Sequence, residues 1–134
     1  MDACGRTLAQ RRGAAAEELI ATRLARLGWS IVGRNVRLGR AEVDIVAVDP
    51  GPPPTLVIVE VRFRSGRDFG LAEETLGPRK RLVLRGALHR LREAGRLPDG
   101  RPLPRVPARF DLAVVEPARK AGGEARIRHY RHAF

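Results

Sequence analysis

Two runs decide the fold: Ala41-Glu42-Val43-Asp44-Ile45-Val46-Ala47-Val48 and, past a turn, Leu56-Val57-Ile58-Val59-Glu60-Val61-Arg62-Phe63. Both are rich in β-branched residues. The intervening Asp49-Pro50-Gly51-Pro52-Pro53-Pro54 cannot continue a ladder. The simplest arrangement is an antiparallel hairpin. If Val48 lies opposite Leu56, then Val46 lies opposite Ile58, Asp44 opposite Glu60 and Glu42 opposite Arg62. Strand side chains alternate, so all eight are expected on one face, apolar near the turn and charged at the far end. The other face would carry Val43, Ile45, Ala47, Val57, Val59 and Val61 as core. Two carboxylates directly opposite one another repel, so the Asp44–Glu60 pair calls for a positive charge between them. Two candidates stay open: a divalent metal, since Mg²⁺ takes one or two carboxylates plus waters and phosphate oxygens, or the Arg62 guanidinium as a structural counter-ion.

Working outward, residues 7–27 read as an amphipathic helix with Ala16, Leu19, Ile20, Leu24 and Leu27 on one face and Gly28 at its left-handed end. Glu17 lies roughly 60° from Ile20, bordering the apolar stripe, while Glu18 lies roughly 160° away in solvent. Residues 29–36 read as a strand, with Trp29 a core or rim aromatic. Pro78 opens a helix over 78–94, with Leu84, Ala87, Leu91 and Ala94 on one face and Lys80 one turn ahead of Leu84. Gly95 ends it. Residues 95–107, holding Pro98, Pro102, Pro104 and Pro107, are expected as a mobile Pro-rich surface loop. Residues 109–116 and 125–130 complete the strands. The resulting order, αβββαββ, predicts a single α/β domain over residues 1–134 with a mixed central sheet flanked by helices.

The chain has 134 residues, 26 Lys plus Arg against 15 Asp plus Glu, and a formal net charge of +11. That length suits one domain, and 43% hydrophobic residues suit a globular one. The longest aliphatic run, Leu56 to Val59, is far short of a membrane span. Arg6, Gln10, Arg11 and Arg12 interrupt any apolar signal core, and Cys4 is alone, which excludes an internal disulfide and a Cys-rich zinc site. A soluble cytoplasmic protein is expected. His89, His129 and His132 lack metal-ligand spacing and are expected as surface or C-terminal polar residues. The basic excess attracts polyanions. It concentrates in residues 79–109, where ten basic residues face two acidic ones, Glu93 and Asp99. Arg79, Lys80, Arg81 and Arg85 at the start of the second helix are candidates for phosphate contacts.

Several segments together carry a resemblance. Arg34-Asn35-Val36-Arg37, Ala41-Glu42-Val43-Asp44-Ile45-Val46, Ile58-Val59-Glu60-Val61-Arg62-Phe63-Arg64, Phe69-Gly70, Lys80 and Arg109-Phe110-Asp111 resemble the YraN-like family of small bacterial proteins. Members of that family look like the restriction-endonuclease-like, PD-(D/E)-x-K, fold and especially like Holliday-junction resolvases. The resemblance implies nucleic-acid binding, DNA ahead of RNA, and metal-dependent endonuclease activity on branched DNA. Glu17 would match the helical Glu that orients metal or water. Asp44, Glu60 and the Val61 carbonyl would hold Mg²⁺ or Mn²⁺. Lys80 would meet the scissile phosphate, and Arg34 and Arg37 would join the nucleic-acid surface. Two departures stand out: the family's G-E-I-D is Ala41-Glu42-Val43-Asp44, and its E-V-K is Glu60-Val61-Arg62. Arginine stays charged and cannot act as a base, though it can stabilise developing phosphoryl charge or bind both carboxylates itself. The alternative is a non-catalytic binding or assembly protein, on DNA or on ribosome-associated RNA, that retains the nuclease scaffold. No membrane partner is expected, and self-association into a homodimer stays open.

Overall fold

The computed structural model describes residues 5–64 and 76–134. Cys4 and the Phe69-Gly70 pair lie outside them. The elements are α1 (Leu8–Arg26), β1 (Ser30–Leu38), β2 (Ala41–Asp49), β3 (Thr55–Phe63), α2 (Pro78–Ala94), β4 (Ala108–Glu116) and β5 (Arg126–Tyr130). The strands form one sheet in the order β1-β2-β3-β4-β5. β3 and β4 run parallel, joined by the crossover through α2, and the other neighbours are antiparallel. This αβββαββ arrangement agrees with a restriction-endonuclease-like fold. Among the described residues no helix is long and apolar enough to cross a membrane.

Both ends of α1 are fixed locally. Thr7 and Gln10 form a reciprocal capping box, the Thr7 hydroxyl accepting from the Gln10 N–H at 3.1 Å and the Gln10 side chain accepting from the Thr7 N–H at 2.8 Å. At the other end Gly28 has φ +89°, and the N–H groups of Gly28 and Trp29 donate to the carbonyls of Ala25 and Leu24, both at 3.0 Å. This Schellman motif turns Trp29 into the same core as Leu24.

The helices cover opposite faces of the sheet. Ala16, Ile20, Ala21 and Leu24 of α1 pack with Ile45, Ala47, Val57, Val59, Ala113 and Val115. Leu84, Ala87 and Leu91 of α2 pack with Val46, Leu56, Ile58 and Phe110. Three expected core residues are not core: Leu19 is 38% exposed, Leu27 is 54% exposed, and Ala94 is exposed at the last turn of α2. The buried arc of α1 runs from Ala16 through Ile20 and Leu24 to Ala21, which leaves Leu19 beyond Ala16, while Leu27 is the C-cap past the last turn. Glu17 falls inside that arc, one turn before Ala21. Residues 95–107 are tied by backbone bonds from Leu97 to Arg101 and from Leu103 to Gly95, at 2.8 and 2.9 Å, and Leu97 is buried.

The hairpin register is the expected one, from Asp49 opposite Thr55 to Ile45 opposite Val59. The facing pattern is not. Val43 packs under α2 with Val46 rather than with Ile45. On β1, Arg34 reaches Glu18 of α1 while Val36, two residues on, packs under α2. Two residues apart on a regular strand should share a face. The break lies at Asn35, whose φ is +49°, and at Asp44 between the flanking pairs Arg34–Ile45 and Val36–Val43. The alternation therefore resets in both strands at once.

Candidate active site

Glu60 lies near the end of β3 with its side chain only 5% exposed. It follows Leu56 and Ile58 on the face under α2, so the strand's period carries an acid to the rim of an apolar layer. Two cations meet it from different elements. Arg62 Nη2 stands 3.3 Å from Glu60 Oε1, and Lys80 Nζ, from the first turn of α2, stands 3.7 Å from the same oxygen. The other oxygen, Glu60 Oε2, is buried and, when the carboxyls are ionised, has no hydrogen-bond partner among the described residues; with one proton between them Glu60 shares a hydrogen bond with Asp44.

Asp44 reaches the cleft by a different route. Because the alternation resets there, its carboxylate turns along the sheet and Oδ2 accepts from the Val61 N–H at 2.8 Å. Glu17 comes down from α1 and shares a hydrogen bond with Asp44, while the Asn35 side chain donates to Glu17. A carboxyl pair can share a hydrogen bond only when one member carries a proton. Burial, and then the charge of Asp44, pushes Glu17 up to about 7. The same two causes push Glu60 up to about 7, against the opposing pull of Lys80 and Arg62. Three carboxyls thus converge, and two of them give up their protons only near neutrality.

The structure brings Glu17, Asp44, Glu60, Arg62 and Lys80 together, with the Val61 backbone beside them. It separates other residues. Glu42 does not face Arg62 in an ion pair but lies 3.7 Å from Arg37. Among the described residues Arg62 pairs with Glu60, and no ion pair joins it to Asp44. A guanidinium clamped between both carboxylates is therefore not what is found. Arg34 is bound to Glu18 at 2.6 Å on the α1 side, away from the basic start of α2. Arg79 and Arg85 are exposed on α2, with Arg85 6.0 Å over the Phe134 ring, and Arg81 is half-buried. Among the described residues no three or more His, Cys, Asp or Glu side chains form a ready metal cage.

Asn35 is a member of the site that residue spacing alone did not single out. Its signal was an asparagine inside a strand pattern, where that residue is depleted, combined with its tolerance of positive φ. A second polar cluster was also missed. Asp111, fully buried on β4, accepts from Arg109 Nε at 2.9 Å and from the His132 N–H at 3.2 Å, and bonds His129 Nε2 at 2.8 Å. Arg109 also donates to Asp49 at 2.8 Å and lies 5.2 Å over the Trp29 ring. His129 is accordingly an interior partner with 15% side-chain exposure, not a surface residue, and Arg109 does not belong to the exposed basic surface. The spacing of Arg109 and Asp111, two apart on one strand face, was the available sign.

The profile of UPF0102, described as an uncharacterised protein family, matches residues 16–115. The chain belongs to that family. The matched span begins before Glu17 and ends after Asp111, so it takes in every residue of both clusters except His129 and His132. A UPF0102 protein of Cupriavidus taiwanensis is 42% identical over 111 residues, covering 82% of this chain and 77% of that protein. One of Symbiobacterium thermophilum is 35% identical over 129 residues, covering 95% and 98%. One of Deinococcus radiodurans is 41% identical over 107 residues, covering 78% and 80%. The family assignment fixes kinship and leaves the activity to be argued from the cleft.

Proposed function

We propose that this UPF0102 protein binds nucleic acid, DNA in preference to RNA, and that its cleft hydrolyses phosphodiesters in branched DNA with Mg²⁺ or Mn²⁺. The observation that carries this reading is the convergence of Glu17, Asp44 and Glu60 beside two cations, with Glu60 Oε2 buried and, once the carboxyls are ionised, without a hydrogen-bond partner among the described residues. A carboxylate oxygen in that state fits a hard divalent ion, and an ion that keeps several waters does not need a three-residue cage. Asp44, Glu60 and the Val61 carbonyl would hold it. The ion, when bound, supplies charge neutralisation and an acidified water. Arg62 and Lys80 hold phosphate oxygens and stabilise the charge that develops on them. Glu17, at about 7, is poised to take a proton near neutrality.

Cleavage of a four-way junction in Mn²⁺ tests this reading. It should be lost in Asp44→Asn and Glu60→Gln with binding retained. Cleavage that survives both substitutions refutes the assignment of the site. A second reading, a binding module without catalysis, is supported by the pairing of Glu60 with both Arg62 and Lys80, which already supplies positive charge to that carboxylate. Junction binding without cleavage in either Mg²⁺ or Mn²⁺ decides for it.

A further inference from the structure

The outer face of α2 holds an arrangement that neither the core nor the cleft uses. Leu82 is 71% exposed, the most exposed of the large hydrophobic residues among those described. Arg79 and Arg85 stand three residues before and after it, on the same face of the helix, and both are exposed. One turn on, at i+4, sits Gly86. A glycine inside a helix costs stability relative to alanine, and here it has no packing reason: nothing lies within 4 Å of where its Cβ would be. The missing side chain leaves bare backbone beside Leu82, so the leucine stands proud of its surroundings. A lone exposed leucine is ordinary. A leucine between two guanidiniums, next to an otherwise wasteful glycine, is a shaped feature.

We propose that Leu82 is a wedge that enters an opened base step of DNA, with Arg79 and Arg85 on the flanking phosphates and Gly86 admitting the sugar-phosphate backbone. Aliphatic side chains do this where the duplex can be unstacked at low cost, at mismatches, flexible steps and branch points. The charge pattern selects the occupant: Arg79 and Arg85, the latter 6.0 Å over the Phe134 ring, flank an apolar tip made by Leu82 with the 41% exposed Val83 beside it, which matches a polyanion with an apolar interior. This inference rests on the nucleic-acid part of the proposed function and not on catalysis.

The test uses the full chain and three DNA probes: a straight 30-base-pair duplex, the same duplex with a central mismatch flanked by 2-aminopurine, and a four-way junction. Wild type should raise the 2-aminopurine fluorescence on binding, and Leu82→Ala should not. Leu82→Ala should also weaken binding to the mismatched duplex and the junction by about tenfold, while changing affinity for the straight duplex by less than twofold. Gly86→Gln should weaken the same two probes while raising the melting temperature, which separates lost contact from lost fold. Equal loss on all three probes, or no loss on any, overturns the wedge while leaving nucleic-acid binding intact. Absence of binding by wild type to every probe overturns both. If Leu82→Ala leaves DNA binding unchanged and abolishes binding of a synthetic helix of Glu and Leu, the face docks an acidic protein segment instead.

Discussion

Glu60 meets opposing demands at one side chain. Burial and Asp44 oppose its ionisation, while Arg62 and Lys80 favour it, and the balance leaves it at about 7 alongside Glu17. Both values lie above the ordinary 4.5, so between pH 4.5 and 7 the folded state binds more protons than the unfolded chain. Stability contributed by these groups is present below that window and lost as pH rises through it. Urea midpoints should therefore fall from pH 4.5 to pH 7, and Asp44→Asn should flatten the decline by removing the charge both carboxyls repel. Arg62 allows a second prediction. Its Nη2 pairs with Glu60 Oε1, so a cation seeking Glu60 competes with it. Arg62→Lys substitutes a compact ammonium that gives way more readily. Mn²⁺ affinity by calorimetry should rise by about tenfold, equivalent to about 1.4 kcal/mol. Unchanged affinity would mean that Arg62 does not guard the site. The Asp111 cluster behaves oppositely to the cleft: despite burial, bonds from His129 and Arg109 hold Asp111 below the usual carboxylate range. Arg109→Met leaves Asp111 and Asp49 short of their main partner inside the protein and should cost about 3–5 kcal/mol in denaturant unfolding.

At the scale of elements, α1 is positioned by its caps and by a narrow arc. Leu24 is 1% exposed and Leu19 is 38% exposed, though both fit an apolar face by spacing. Leu24→Ala should cost about 2–5 kcal/mol by opening a cavity against the sheet, and Leu19→Ala less than about 1 kcal/mol. Similar losses at both positions would show that the buried arc is wider than the packing indicates. The same arc explains why α1 contributes to the cleft at all. Glu17 occupies a place that an apolar residue would otherwise fill, so the helix delivers a carboxyl from above the sheet while β2 and β3 deliver Asp44 and Glu60 from within it. The reset at Asn35 and Asp44 is what lets these meet. With strict alternation, Asp44 would face α2, away from Glu17.

At the scale of the molecule, the formal charge of +11 is unevenly spread once pairing is counted. Arg34, Arg37 and Arg109 are engaged with acids, while Arg79 and Arg85 stand exposed on the outer face of α2. Binding to duplex DNA should weaken with salt, with a log–log slope of about −0.9 per phosphate neutralised. Arg79→Gln with Arg85→Gln should make the slope shallower by about two such increments, and Arg34→Gln should leave it nearly unchanged. A slope that responds equally to all three would place the nucleic acid across β1 as well. What the sequence by itself determined was the set of elements, the hairpin register and, Asn35 apart, the charged residues that meet in the cleft. Those follow from local causes: β-branched runs, a proline-rich turn, helix caps, and a period of two that carries Glu60 and Arg62 along one strand face. What only the tertiary structure decided was which charges are solvated and which way the exceptional residues turn. Leu19 and Leu27 match an apolar stripe, yet the arc of α1 that packing buries leaves both exposed. His129 looks like a C-terminal polar residue, yet the β4–β5 pairing seats it on Asp111. Val43 obeys alternation on paper, yet Asn35 at positive φ resets both strands beside Asp44. Each outcome depends on where a neighbouring element ends, and that is a property of packing between distant segments, not of the segment read alone.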